Sequence, residues 1–433
     1  MKTYTEPSRQ IPIKQEVDVL VVGSGPAGFS AAVWAARQGA KTMLIEQQGD
    51  VGGIATTGLM SHWAGESKGG IYHELLDRSC DNPGKDWRTR TINPEKLKTV
   101  MLEMLQEAGV ILQLYTFASD AIMEGDKIVG VITESKSGRE AILAKVVIDA
   151  SGDGDIAART GAAFFKGRES DGSMQPMTLM FKVAGVDTDR AVYNGSFEST
   201  SALPKGDLQT LGRKNIPHPA GHVLLYASTL PGVVSVNMTN SIEVDGTKAE
   251  DLTKALCVCR SQMDAIVNFL REYVPGYENC FIISSASLMG VRETRHFEGE
   301  YTLTPNDILQ AQVFDDWAVA DAHFDFDVHG LKGPGLDETG CQKNFKQKKG
   351  YTIPYGCFVP KKIEGLLLAG RMISGTHIAH SSFRVMPICA NMGMSMGIAA
   401  AMCAEKGILP RNLDVKELQA ELKSKGIEEP VKE

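Results

Sequence analysis

Two arginines and a histidine follow an apolar run at 286–291 within a single short segment. They are Arg292, Arg295 and His296. Paired guanidinium groups can bind a carboxylate through parallel hydrogen bonds. An imidazole can accept or release a proton near neutral pH. This segment is therefore a candidate for binding an anionic small molecule and moving a proton on it.

A second group of the same residue types lies near the C-terminal end of the chain. His377, His380 and Arg384 stand between a short apolar strand predicted at 365–370 and a helix predicted at 387–404. Loops that follow such strands carry a large share of catalytic and binding residues. These three residues are the best-placed candidates for acid–base chemistry.

Histidine and aspartate also alternate between His323 and His329, with Asp325 and Asp327 between them. Alternation along a strand directs successive side chains to opposite faces, which does not favour a shared metal ion. We assign no metal site to the chain, and these histidines stay weaker candidates for catalysis.

The start of the chain carries a pattern typical of nucleotide-binding sites. A β-branched apolar strand at 17–22 leads into GSGPAG at 23–28, an alanine-rich helix follows, and a second strand ends at Glu46. The three glycines permit a tight turn, a close approach of pyrophosphate to the backbone and close helix–strand packing. An acidic residue at the end of the second strand can bind a ribose. This order predicts a dinucleotide site, but the fingerprint alone does not separate FAD from NAD.

Three later segments also combine apolar residues with a glycine-containing turn. They are VGGIATTG at 51–58, VVIDASGDGD at 146–155 and GLLLAGR at 365–371. With the opening fingerprint, they resemble the FAD-binding elements of the glutathione-reductase-like superfamily. Together with GVRETR and the C-terminal LLLAGRMISGTHIAHSSFRVMP, they make the chain most similar to the FAD-dependent oxidoreductases. That group is related to the fumarate reductase and thiazole synthase flavoproteins, and the resemblance spans residues 17 to about 405.

The resemblance implies FAD as the cofactor and an α/β fold class. A Rossmann-like FAD-binding domain, with a parallel sheet and a β-meander predicted at 109–134, would carry an inserted mixed α+β substrate domain. The expected domains are 1–165 for the first part of the FAD-binding domain, 166–354 for the substrate or cap domain, and 355–433 for the C-terminal part of the FAD-binding domain.

The same resemblance implies which residues contact FAD: Gly23, Gly25, Pro26, Ala27, Gly28, Glu46, Gly53, Ile54, Ala55, Thr56, Ala118, Ala150, Ser151, Gly152, Gly370, Arg371, Met392 and Gly393. It also implies that the helix at 387–404 directs its N-terminus at the flavin pyrimidine, where the helix dipole stabilises negative charge. Gly393 and Gly397 lie four apart on one face of that helix, so a neighbouring backbone or the cofactor can approach closely. A covalent link from His62 to flavin is considered, but the spacing does not match well.

Composition excludes several other classes of protein. Forty-five Lys+Arg against 53 Asp+Glu give a net charge of -8, without a basic block, so no nucleic-acid partner is expected. Residues 1–16 lack the apolar core of a signal peptide. No uninterrupted apolar stretch reaches the roughly 18 residues of a membrane span. We expect a cytoplasmic protein without a membrane partner. Its eight cysteines form no CxxC pair for a dithiol relay and no complete zinc site.

The function predicted is hydride transfer between flavin N5 and a small polar metabolite, and the arginines favour a carboxylated one. A flavin monooxygenase and a non-catalytic FAD-binding module are the alternatives. Only one complete GxGxxG is present, so a dedicated NADPH domain is not expected. The electron acceptor stays open between NAD(P), quinone, oxygen and a partner protein. Homo-oligomerisation is also open, although dimers are common in the superfamily.

Overall fold

The computed structural model describes residues 2–60, 62–81, 92–337 and 349–431. Its strands are β1 (Ile13–Val22), β2 (Thr42–Ile45), β3 (Glu66–Ser67), β4 (Ile111–Gln113), β5 (Phe117–Glu124), β6 (Lys127–Ser135), β7 (Gly138–Asp149), β8 (Phe164–Lys166), β9 (Phe181–Ala184), β10 (Ala202–Leu203), β11 (Gly206–Asp207), β12 (Leu225–Ala227), β13 (Val234–Val236), β14 (Phe281–Ser285), β15 (Arg295–Phe297), β16 (Trp317–His323), β17 (Tyr351–Pro354) and β18 (Leu366–Leu368). Its α-helices are α1 (Pro26–Arg37), α2 (Gly70–Ser79), α3 (Pro94–Glu107), α4 (Asp155–Arg159), α5 (Leu208–Asn215), α6 (Ala249–Tyr273), α7 (Pro305–Leu309), α8 (His377–Phe383), α9 (Met386–Lys406) and α10 (Val415–Ser424).

The main sheet has seven strands in the order β4-β2-β1-β7-β6-β5, with β18 also paired to β7. Strand β1 runs parallel to β2 and β7, and β18 runs parallel to β7. The carboxyl ends of these four strands therefore meet at one edge of the sheet, where ligands of open α/β sheets bind. Strands β5, β6 and β7 pair antiparallel as a meander. The α/β fold class and the β-meander predicted from sequence are confirmed.

Helices α1 and α9 pack backbone to backbone against each other. A Cβ on Gly393 would lie 1.9 Å from the Ala27 carbonyl oxygen, and a Cβ on Gly397 would lie 2.3 Å from the Ala31 carbonyl oxygen. The two glycines therefore share a face, as predicted, and that face contacts a neighbouring helix. Within the described residues, α9 is the one helix long and apolar enough to cross a membrane, and 94% of its most apolar segment is buried inside the protein.

A second hydrophobic core lies beside the main sheet. It joins the four-stranded sheet β12-β13-β9-β14 to helix α6, and its buried residues run from Leu179 to Ala286. Buried residues from Phe297 to Ile353 instead pack into the core of the dinucleotide-binding sheet. The packing therefore divides the chain differently from the predicted 166–354 domain. Strand β16 packs against α9, and β17 pairs with β16, so both strands join the main core. No local sequence signal shows which core they join.

Candidate active site

A cavity of about 1420 Å³ opens between the carboxyl edge of the main sheet and the four-stranded sheet. Glycine loops line one end, and polar side chains from the inserted sheet line the other. Pockets for single small molecules usually measure roughly 300–1,000 Å³. The cavity is therefore large enough for a dinucleotide together with a second small molecule.

The opening glycine loop forms a cradle at the N-terminus of α1. Gly23 has a φ of +91°, and a Cβ there would lie 2.7 Å from the Ala150 carbonyl oxygen. A Cβ on Gly28 would lie 1.8 Å from the Gly23 carbonyl oxygen, so Gly28 serves packing and faces away from the cavity. A Cβ on Gly25 would meet no protein atom within 4 Å. The space beside Gly25 is thus left for a ligand, at a helix end that favours anions.

Glu46 lies at the end of β2, 7% exposed, and lines the same cavity. Its carboxylate accepts hydrogen bonds from the Ser24 backbone N–H and hydroxyl, both at 2.8 Å, and from the Gln48 N–H at 2.8 Å. This fixes the carboxylate beside the glycine loop, where a ribose would be bound. Phe117 and Arg159 also line this end, with the guanidinium carbon 5.9 Å from the ring centroid.

Arg371 lies on the cavity wall beside the third glycine segment. Its guanidinium pairs with Asp153 at 2.7 Å, and a Cβ on Gly152 would lie 2.4 Å from it. Asp149 at the end of β7 is fully buried and accepts hydrogen bonds from the Ser151 N–H and hydroxyl and from two N–H groups of α4. These bonds hold the loop that carries Ser151 and Gly152 at the cavity edge.

Most residues predicted to contact FAD line the cavity. They are Gly23, Gly25, Pro26, Ala27, Glu46, Gly53, Ile54, Ala150, Ser151, Gly152, Gly370 and Arg371. Six others are placed behind its wall: Gly28, Ala55, Thr56, Ala118, Met392 and Gly393. Phe117 lines the cavity in place of its neighbour Ala118, and Gly393 packs against α1. The N-terminus of α9 reaches the cavity through Val385, Met386 and Cys389 instead of Met392.

Two arginines predicted from sequence, Arg292 and Arg384, line the other end of the cavity. Arg384 donates to the Asp327 carboxylate at 3.0 Å and to the Asp327 backbone oxygen at 2.9 Å. Arg292 donates to the Pro176 carbonyl oxygen at 2.5 Å. Burial, together with the nearby charge of Arg384, lowers the pKa of Arg292 to about 10. Arg292 therefore stays charged at neutral pH.

Neutral polar groups complete this end of the cavity. The Nε2 atom of His329 lies 3.3 Å from the Asp327 carboxylate, and burial lowers the pKa of His329 to about 4. Burial raises the pKa of Tyr226 to about 12, and its hydroxyl lies 3.4 Å from the Asn237 amide nitrogen. The His62 ring stacks on Tyr226, with centroids 4.7 Å apart. These side chains line the cavity, but no sequence motif marks Tyr226 or Asn237.

Several buried polar atoms on this wall have no hydrogen-bond partner among the described residues. They are Thr178 Oγ1, Asn237 Oδ1, Asp327 Oδ1 and Arg384 Nε. An unsatisfied buried polar atom costs about 1–3 kcal/mol. A polar ligand that bonds to these atoms would remove that cost.

The other four predicted catalytic residues do not line the cavity. His296, His377 and His380 are at most 1% exposed and surround the carboxylate of Glu293. Arg295 pairs with Asp155 at 3.0 Å and donates to the Asp153 backbone oxygen at 2.7 Å. Helix α8 turns both of its histidines inward, a direction that residue spacing alone does not show.

The geometry can be compared with known proteins. The family profile described as FAD dependent oxidoreductase matches residues 18–422 of the chain. The chain belongs to this family. The cradle beside Gly25, with Glu46 and Arg371, suits FAD, the cofactor that the family description names.

Individual relatives of the chain match over shorter lengths. A digeranylgeranylglycerophospholipid reductase of Picrophilus torridus is 30% identical over 155 residues, which cover 31% of this chain and 39% of that protein. A thiamine thiazole synthase of Methanococcus vannielii is 30% identical over 156 residues, which cover 32% of this chain and 56% of that protein. The chain thus spans about two-fifths to just over half of these relatives. A geranylgeranyl bacteriochlorophyll reductase-like structure from Thermoplasma acidophilum has a TM-score of 0.49 at 15% identity, covering 95% of this chain and 84% of that one.

Proposed function

We propose that this oxidoreductase moves a hydride between FAD and a small carboxylated metabolite bound by Arg292 and Arg384. One observation carries the proposal. Two partly buried arginines line the same cavity as the cofactor cradle, at its opposite end. Paired guanidinium groups fit the geometry of a carboxylate, and their planar donors give orientation as well as affinity.

The charges at this end of the cavity support an anionic ligand. Arg292 and Arg384 carry two positive charges, and among the described residues Asp327 is the carboxylate that pairs with one of them. His329 is neutral at physiological pH, since its pKa lies at about 4. Buried charge is costly unless it is paired. A substrate carboxylate would compensate the positive charge of Arg292.

His329 is placed to accept or return the proton of the substrate. Asp327 occupies the Nε2 side of the ring, and no described residue bonds to Nδ1. A neutral imidazole oriented by a carboxylate is the usual arrangement of a general base. Bound FAD supplies the hydride acceptor or donor, so the protein has to bind the substrate, orient it and move one proton.

Thr178, Tyr226 and Asn237 would orient the polar atom at the reacting carbon. Tyr226 keeps its proton at neutral pH and can donate a hydrogen bond. Thr178 Oγ1 and Asn237 Oδ1 are buried without a described partner and can bond a hydroxyl, amine or carbonyl group. A hydroxy, amino or unsaturated carboxylate matches this set of groups.

The test is an anaerobic titration of the purified holoenzyme, following the visible absorption of oxidised flavin. Hydroxy, amino and unsaturated carboxylates would be compared with their amides and with neutral alcohols and sugars. Bleaching by a saturated carboxylate supports dehydrogenation, and reoxidation of reduced enzyme by an unsaturated one supports reduction. In a separate assay with oxygen present, rapid oxygen consumption with a hydroxylated product would instead indicate a monooxygenase. A flavin band that no metabolite or NAD(P)H changes would indicate a non-catalytic FAD-binding protein.

A further inference from the structure

A cluster of three histidines and one glutamate lies outside the cavity and has no role in the proposed reaction. Glu293 Oε1 lies 2.9 Å from His296 Nε2 and 2.6 Å from His377 Nδ1. The ring of His380 meets the ring of His296 edge-on, with centroids 4.8 Å apart. One donor atom from each of Glu293, His296 and His380 lies within 4.8 Å of the other two.

The cluster is enclosed by protein. All four side chains are at most 1% exposed. Phe165 stacks on the His296 ring at 4.9 Å, and Phe383 lies edge-on to the His380 ring at 5.6 Å. Such apolar surroundings hold side chains in fixed orientations and strengthen polar interactions inside the cluster.

The cluster contains more polar atoms than its own hydrogen bonds satisfy. Three buried ring nitrogens have no partner among the described residues: Nδ1 of His296, Nε2 of His377 and Nδ1 of His380. Unsatisfied buried polar atoms in native proteins call for an explanation, and a bound ion is one of the usual ones. An ion that draws one nitrogen from each of two rings would account for why several imidazoles are buried together.

We propose that Glu293, His296 and His380 bind one divalent transition-metal ion, of the zinc or iron(II) type. Two imidazoles and a carboxylate are the borderline nitrogen and oxygen donors that these ions prefer. Metal bonds of about 2.1 Å put two ligands of one ion roughly 3–4 Å apart, so small rotations of the rings complete the site. The second oxygen of Glu293 already accepts the Gln175 N–H at 3.0 Å, which orients the carboxylate. His377 would then not bind the metal itself. It would donate a hydrogen bond to the ligand Glu293, as partners of metal ligands commonly do.

The site would join the two segments that carry the substrate arginines. Glu293 directly follows Arg292, and the Arg384 backbone N–H donates to the His380 carbonyl oxygen at 3.0 Å. An ion held by Glu293 and His380 therefore ties the segment after β14 to helix α8. Its expected role is structural: it fixes the spacing of the two guanidinium groups and contacts no substrate.

The test measures metal content and does not depend on finding a substrate. The full-length holoenzyme would be produced in medium supplemented with zinc, iron, cobalt or manganese salts, desalted and analysed by elemental mass spectrometry. We expect close to one zinc or iron per chain in the wild type, with Glu293→Gln and His380→Gln each losing it. His222→Gln is the matched control, because His222 is also buried with an unpartnered Nδ1 but lies outside the cluster. That variant should keep its metal.

A second measurement needs no substitution. The wild type is first partly unfolded by heat in the presence of a strong chelator. Its melting temperature should then be lower, and added zinc should restore it. The proposal is overturned if the wild type holds no stoichiometric metal after supplementation. It is equally overturned if Glu293→Gln and His380→Gln retain the metal, since the ion would then lie elsewhere. Neither result would bear on the arginine site, which the flavin titration tests independently.

Discussion

Arg384 contacts Asp327 twice, through the carboxylate at 3.0 Å and the backbone oxygen at 2.9 Å, both from the same terminal nitrogen. The guanidinium is thereby held from one side, while its Nε stays buried and without a described partner. Asp327 also contacts His329, so one carboxylate positions both the proposed anion-binding group and the proposed base. A substrate that bonds to Arg384 is placed beside His329.

Arg292→Ala should weaken the binding of a carboxylated ligand much more than that of its neutral analogue. A hydrogen bond to a charged group contributes about 1.5–3 kcal/mol, which corresponds to roughly 10- to 150-fold in Kd. Arg292→Lys should recover part of the loss, since lysine keeps the charge without the planar pair of donors. Spectral titration of the flavin would give the Kd values. Arg260→Ala on the exposed face of α6 is the control and should match the wild type.

His329→Gln should slow flavin reduction by about 10²- to 10⁴-fold, the usual contribution of a general base. The Kd of an unreactive carboxylate should change little, because Gln leaves the arginines in place. In the wild type, the neutral imidazole is the active form for oxidising a substrate. The rate should therefore hold through neutral pH and fall as the pH approaches the His329 pKa of about 4. Rapid-mixing reduction at several pH values tests this, and an equal acid limb in the variant would rule His329 out as the base.

Acid should destabilise the protein well above the range where its carboxylates titrate. Burial lowers the pKa of His222 from 6.5 to about 3 and that of His329 from 6.5 to about 4. Between pH 6.5 and these values the unfolded chain binds protons that the folded protein does not. Stability from these groups is thus fully present above pH 6.5 and declines as the pH falls. At about 1.4 kcal/mol per pKa unit, the full effect is about 5 kcal/mol for His222 and about 3.5 kcal/mol for His329. Denaturant unfolding from pH 7 to 4 should show this slope, and His222→Gln should reduce it.

Two glycine-to-alanine substitutions should separate cofactor binding from folding. A Cβ on Gly25 meets no protein atom, so Gly25→Ala should fold normally and lose FAD affinity, because the methyl group occupies ligand space. A Cβ on Gly393 would lie 1.9 Å from a backbone oxygen of α1, so Gly393→Ala should lower the melting temperature by forcing two helices apart. Thermal unfolding of the apoprotein and FAD titration would measure both effects. A Gly25→Ala protein that binds FAD as tightly as the wild type would contradict the placement of FAD beside Gly25.

The cofactor end of the molecule could be predicted from sequence because its signals are local. The turn at Gly23, the packing of Gly28 and the strand end at Glu46 each follow from neighbouring residues. The substrate end could be predicted only in part. Arg292 is predicted because it follows an apolar run, and Arg384 because it lies between a predicted strand and a predicted helix. Nothing local shows that His377 and His380 turn inward.

Other residues of the substrate end lie outside any motif. Tyr226 and Asn237 reach the cavity from β12 and from the end of β13, whose pairing with β9 brings together segments far apart in sequence. Glu293 lies between Arg292 and Thr294 and belongs to no motif of its own. Its pairing with histidines of α8 depends on tertiary packing, which spacing along the chain does not specify.

We propose above that the cavity binds a carboxylate between two arginines beside the cofactor. The most direct measurement compares the shift of the flavin spectrum by a carboxylate and by its matching amide, in the wild type and in Arg292→Ala, without oxygen. We expect a saturable shift of the flavin spectrum with the carboxylate in the wild type and a much weaker shift with the amide. In Arg292→Ala, this difference between carboxylate and amide should be lost. Equal responses to acid and amide in the wild type, unchanged in Arg292→Ala, would contradict it.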